Sequence, residues 1–151
     1  MSVTWASICG TETNIFSSPN DVGEGSGVIW HPRLDKCFWV DDGGDTYGAG
    51  TWMGGAGGST SSGRLCSCDA DGTNRKWLTV GGDLEDITYA DPAGDYIYIL
   101  AESQEQIYEI SLTAWAAAAH EGSVAKHRTW DISGLDLIDD GVPGAGPEGM
   151  T

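Results

Sequence analysis

Apolar and polar residues alternate along this chain in short runs, and glycine-rich breaks separate one run from the next. The stretches "DYIYILAES" (Asp95 to Ser103) and "EQIYEISL" (Glu105 to Leu112) set every second side chain on one face, the period of a β-strand. Three such strands are built around a tryptophan and end in glycine: "TWASICG" from Thr4, "KWLTVGG" from Lys76 and "TWDISG" from Thr129. Three others follow them after Gly-rich turns: "GSGVIW" from Gly25, "LEDITY" from Leu84 and "PEGMT" from Pro147. Two further strands fill each interval. In the first they are "KCFWVDD" (Lys36 to Asp42) and "GRLCSCDADG" (Gly63 to Gly72); in the second they are the two tyrosine-rich stretches above.

With the four strands labelled A to D, the chain reads D–ABCD–ABCD–A. A four-stranded antiparallel meander that repeats along a chain is the signature of a β-propeller blade. The expectation is an all-β protein: one propeller-like module over 1–151, with blade 1 at about 25–81 and blade 2 at about 84–134. Strands 2–9 and 147–151 then belong to incomplete blades. Blade 1 carries an insertion, "GGDTYGAGTWMGGAGGSTSSG", between B and C, and its C–D turn places Gly72 where a hairpin needs positive φ. Blade 2 has a tight B–C turn and inserts "TAWAAAAHEGSVAKH" between C and D; its alanine run predicts one or two helical turns before Gly122.

The stretch "GRLCSCDADGTNRKWLTVGGDLEDITYADPAGDYIYIL" resembles the YWTD and NHL-type six-bladed propeller repeats, which share a turn of the DG-x-x-R kind. "DLEDITY" followed by "YIYILAES" and then "GPEGMT" is similar to the SdiA-regulated and esterase-like phytase propellers. The resemblance covers all but the two insertions. It implies a propeller fold, in which five to eight blades are needed and two are present here. The expected partners are therefore further blades of the same polypeptide or copies of the chain, joined through unpaired terminal strands into a ring or filament.

Twenty-three acidic residues against seven basic ones give a net charge of −16. Such a surface repels phosphate backbones and anionic bilayers, so nucleic acid is not an expected partner. No stretch is long enough to span a membrane, and no signal peptide is present in these residues. The expected setting is extracellular or at the cell surface. Of the cysteines Cys9, Cys37, Cys66 and Cys68, the last two lie on one strand face and are poorly placed to bridge each other; either could reach Cys37 on a neighbouring strand.

Glu85 and Glu148 take matching places at the entrance of strand A, where Ser26 stands in the first copy. Glu102 and Asp42 match at the exit of strand B. Carboxylates from several loops suit Ca²⁺, which takes six to eight oxygen ligands. The plainer alternative is that these acids cap turns and solvate loops. In the phytase-like families that the repeat resembles, acidic clusters bind calcium and in some activate water on a phosphate ester.

"DADGTN" (Asp69 to Asn74) reads as a hairpin turn, since neither it nor "DDGGDTYG" has the remaining ligands of an EF-hand. No GxSxG, HExxH or Walker motif is present. His31, His120 and His127 read as surface residues, and Trp5, Trp77 and Trp130 as equivalent packing residues between blades. The expected function is a binding or assembly module, not an enzyme by itself. The alternatives are a calcium-dependent phosphoesterase or lactonase, and a glycan binder that uses Tyr47 and Trp52 in the blade 1 insertion.

Overall fold

A computed structural model describes residues 25–41, 63–135 and 150. The first sheet contains β1 (Gly25–His31), β2 (Lys36–Asp41), β3 (Arg64–Asp69) and β4 (Lys76–Thr79). The second contains β5 (Leu84–Thr88), β6 (Tyr96–Ala101), β7 (Gln106–Ser111) and β8 (Arg128–Asp131). Each is an antiparallel meander with its strands in chain order. The expected all-β class and both sets of four strands are therefore present.

The two sheets repeat each other in register. Gly25 pairs with Asp41 and Val28 with Trp39 in the first; Leu84 pairs with Ala101 and Ile87 with Ile99 in the second. Both first strands carry an irregularity just after their opening pair, at Gly25/Val28 and at Leu84/Asp86. This common frame makes Phe38 the counterpart of Tyr98, and the row Val40–Leu65–Leu78 the counterpart of Leu100–Ile107–Trp130.

One core joins the sheets. Phe38, Val40, Leu65 and Leu78 of the first meet Ile97, Ile99, Tyr108 and Ile110 of the second, all of them buried. The alternation of each strand turns its remaining side chains to the opposite face. The core-facing row of the first sheet matches the outward-facing row of the second. The sheets thus stack front on back, each turned in the same sense. β1 lies beside β5, and the contact is tight at Gly27: a Cβ there would sit 2.1 Å from Asp86 Oδ1 and 2.6 Å from Asp86 Cα.

That geometry corrects the expected equivalence of the tryptophans. Trp77 and Trp130 do occupy corresponding fourth strands, β4 and β8. Their side chains differ by one position in register, however: Trp77 pairs with Cys66, whose counterpart is Tyr108, while Trp130 pairs with Ile107. A shift of one residue turns a strand side chain to the other face. Trp77 accordingly joins Trp39, Cys66 and Cys68 on the outward face of the first sheet, and Trp130 lies by Tyr98 on the outward face of the second. Neither fills the core between the two sheets. Trp5 lies outside the described residues.

The connections differ. The β3–β4 link is the expected hairpin: Gly72 adopts φ +77°, its N–H donates to the Asp69 carbonyl at 2.9 Å, and Asp71 Oδ1 accepts from the N–H and hydroxyl of Thr73. The β7–β8 link contains the predicted helical turns as α1 (Leu112–Ala117), capped by Ser111 Oγ, which accepts from Ala114 N at 3.2 Å. α1 brings Leu112 and Trp115 onto the shared core, where Trp115 meets Phe38 edge-on at 5.0 Å. The following residues run along the free side of β4: Thr79 N donates to Gly122 O, and Val124 N to Thr79 O. The second insertion therefore covers an edge of the first sheet that would otherwise present bare backbone groups.

Candidate acidic site at the strand entrances

Both first strands begin at one end of the sheets, and the β6–β7 turn closes at that same end. The link from β4 passes through Gly81 (φ +81°) and Gly82 (φ +97°) into Asp83. At Gly82 the positive φ disfavours any other residue, and a Cβ there would also press at 2.7 Å on Gln104 Oε1, the acceptor of the Asp83 N–H. The link is fastened to Gly63, whose carbonyl accepts from Val80 N and Gly81 N and whose N–H donates to Gly82 O. Asp83 is then held to the β6–β7 turn by backbone and side chain together. Its carbonyl accepts from Glu102 N at 2.9 Å, its N–H donates to Gln104 Oε1 at 3.0 Å, and its carboxylate accepts from Ser103 Oγ.

This framework gathers three carboxylates. Oxygens of Asp83, Glu85 and Glu102 all lie within 4.8 Å of one another, and each residue is half-buried. Ser26 Oγ donates to Glu85 Oε2 at 3.2 Å, so the matching positions of β1 and β5 touch. Beside the cluster opens a depression of about 560 Å³ lined by Gly82, Asp83, Gln104, Tyr108 and Lys126, among others. The Lys126 ammonium stands 3.4 Å from the Tyr108 ring centroid, a cation–π contact on the depression's wall. Three carboxylate oxygens so arranged suit a hard divalent cation, whose remaining positions water or a bound anion would fill.

Of the sequence-predicted ligands, Glu85 and Glu102 are brought together. Glu148 and Asp42 lie outside the described residues, as do Tyr47, Trp52 and Cys9. Asp41 and Gly63, which flank the long link between β2 and β3, stand at this same end: Asp41 pairs with Gly25, and Gly63 is bonded to Gly82. Asp83 was not anticipated. Its signal is "GGDLEDIT", in which a two-glycine turn delivers one acid just ahead of the strand and Glu85 two residues later. The calcium-like phrase "DADGTN" is the hairpin turn already described, and its acids are taken up by Lys36, Asn74 and Thr73.

The histidines divide. His120 and His127 are exposed, as expected, and His127 Nε2 lies 3.7 Å from Glu109 Oε1. His31 is not a surface residue: it is 0% exposed, set edge-on to Phe38 and Tyr89. Its ring nitrogens meet no hydrogen-bond partner among the described residues. The cause is its place at the end of β1, in step with Ile29 on the core side of the strand. Burial, aided by the Arg33 charge, holds its pKa below the ordinary imidazole value.

Sequence reasoning also passed over Glu109, a buried carboxylate on the outward face of β7. Tyr98 bonds to it, and Arg128 Nε lies 4.0 Å away. Burial, and then the Glu109 charge, push the Tyr98 phenol above its ordinary pKa. Among the described residues no helix is long and apolar enough to cross a membrane. Comparison of the chain with protein-family models, with curated proteins and with solved structures gives no match.

Proposed function

We propose that the chain is a pair of consecutive β-propeller blades that serves as a binding or assembly module. Its outward sheet faces take further blades, either from the rest of a longer polypeptide or from copies of itself in a ring or filament. The observation that carries this reading is the row of first strands. β1 lies against β5 through Gly27 and Asp86, and on β5 the same Asp86 accepts through its Oδ2 from Met150 N. Front-on-back stacking of sheets in register is how blades succeed one another about an axis. An extracellular setting accords with the acidic surface and belongs to the same proposal.

Light scattering on the 151-residue chain tests the self-associating form. Particles several times the monomer mass are the expected result. A monodisperse monomer with a single cooperative melt counts against strand-sharing between copies.

A second reading is favoured by the acidic cluster alone. Asp83, Glu85 and Glu102 would hold Ca²⁺ at the strand entrances, as the resemblance to phytase-like propellers suggests, for hydrolysis of a phosphate ester or lactone. Calcium titration by calorimetry, with Glu85→Gln as control, decides it: absence of calcium heat in the unaltered chain removes this reading and leaves the assembly role intact.

A further inference from the structure

The outward face of the first sheet carries three cysteines, and the register separates their roles. Cys37 of β2 stands directly opposite Cys68 of β3, whereas Cys66 stands opposite Trp39. The two partners share a side-chain hydrogen bond between their thiols. Directly opposed residues of an antiparallel pair bring their Cβ atoms to about 4.5–5.5 Å, close to the span a disulfide bridges, with a modest pucker of the strands making up the rest. Cys66 is two residues along the strand from Cys68, about 7 Å away, and the chain between them is extended. A thiolate metal site is not indicated, because among the described residues the metal-ligating cluster is the acidic one.

We propose that Cys37 and Cys68 form a reversible cross-strand disulfide that clips β2 to β3 below the blade 1 insertion. Cys37 is the half-buried member and Cys68 the buried one, so reaction begins at Cys37. With a small disulfide such as oxidised glutathione as oxidant, the Cys37 thiolate attacks one glutathione sulfur and expels the other as glutathione thiolate. The Cys68 thiolate then attacks Cys37 Sγ and expels the second. Two protein thiols are oxidised, one external disulfide is reduced to two thiols, and the two protons lost by the protein are taken up by the departing thiolates.

Burial, and then the neighbouring Cys37, push the Cys68 thiol up to about 11, and burial raises Cys37 as well. Closure is therefore slow near neutrality and speeds as the pH rises. Both residues lie within one sheet, so the bond forms within a single chain.

The test uses the full chain, incubated with oxidised glutathione at alkaline pH and analysed as a monomer by mass spectrometry. The expected result is a loss of about 2 Da, for two hydrogens, restored by dithiothreitol. Tryptic digestion without reduction should give residues 37–64 joined to residues 65–75. Because the second peptide carries both Cys66 and Cys68, variants assign the bond: Cys66→Ala keeps the link and Cys68→Ala abolishes it. The bond closes a loop of roughly thirty residues, so the oxidised chain should also melt about 5–10 °C higher than the reduced one. An unlinked map, a link through Cys66 or Cys9, or bonds only between chains would overturn the assignment.

Discussion

The two faces turned away from the shared core occupy opposite rows of one repeated backbone frame, and they carry different chemistry. On the first sheet that face holds a second buried cluster, Trp39, Cys66 and Cys68, with Cys37 and Trp77 packed against it. On the second, the corresponding elements hold Tyr98, Glu109, Arg128 and Trp130, a charged and aromatic patch in which Arg128 lies 5.4 Å from the Trp130 ring. The backbone frame repeats, yet the side chains placed on these two faces do not. A repeat fixes where side chains point; the residues placed there decide what can be bound. This also explains why a tryptophan motif read as one repeated feature serves two faces: a single step in register exchanges them.

The largest expected effect compares counterparts across that frame. Phe38 fills the shared core, whereas Tyr98 occupies the same register position on an outward face. Phe38→Ala should cost about 3–5 kcal/mol in urea unfolding, because it leaves a cavity among Trp115, His31 and the aliphatic core. Tyr98→Ala should cost less than half as much. Equal costs would mean that the outer face of the second sheet is packed as a core, and the contrast would fail.

An intermediate effect is expected from His31. The folded protein holds its pKa below the unfolded value near 6.5 because the ring is buried and Arg33 is near. Its contribution is therefore fully present above that pH and is lost as the pH falls from about 6.5 through the lowered folded value, since the unfolded chain takes up the proton first. Asp95 responds in a separate, more acidic window. The Ser111 hydroxyl, followed by Thr113 and Arg33, lowers its carboxyl pKa, so its contribution fades only as the pH drops through and below 3.8. Thermal melts across pH 4.5–7.5 should show the first loss in the unaltered chain and its absence in His31→Leu. An identical slope in both would remove His31 as the cause.

The smallest effects sharpen the comparison of the two final connections. Gly72→Ala forces a side chain into φ +77° in the β3–β4 hairpin, and Ser111→Ala removes the cap of α1. Each should cost about 1 kcal/mol by chemical denaturation. Because α1 also carries Trp115 onto the core, loss at Ser111 should reach the first sheet, seen as faster amide exchange in β4. Loss confined to 111–118 would show that the helix is not the fastener described here.

Much of the fold was legible because alternation and glycine turns are local. The strands of both sheets, the Asp71–Gly72 hairpin, the tight β6–β7 turn and a helical insertion all follow from residues close together in sequence. The acidic site was half legible. Glu85 and Glu102 could be matched by position, but Asp83 enters only because Gly81 and Gly82 turn the chain back over the β6–β7 turn. His31 was misread for a related reason: a polar residue beside proline signals a turn, and its burial depends on Tyr89 arriving from the next sheet.

By itself the sequence determined the class of fold, the order of the strands and the acidic character of the surface, since each depends on composition or on a period of two. Only the tertiary structure decided which face of each strand is core, which cysteine faces which, and that the second insertion shields the edge of the first sheet. Those outcomes rest on the register between strands and on how two sheets stack. A displacement of one residue reverses them while leaving every local pattern unchanged.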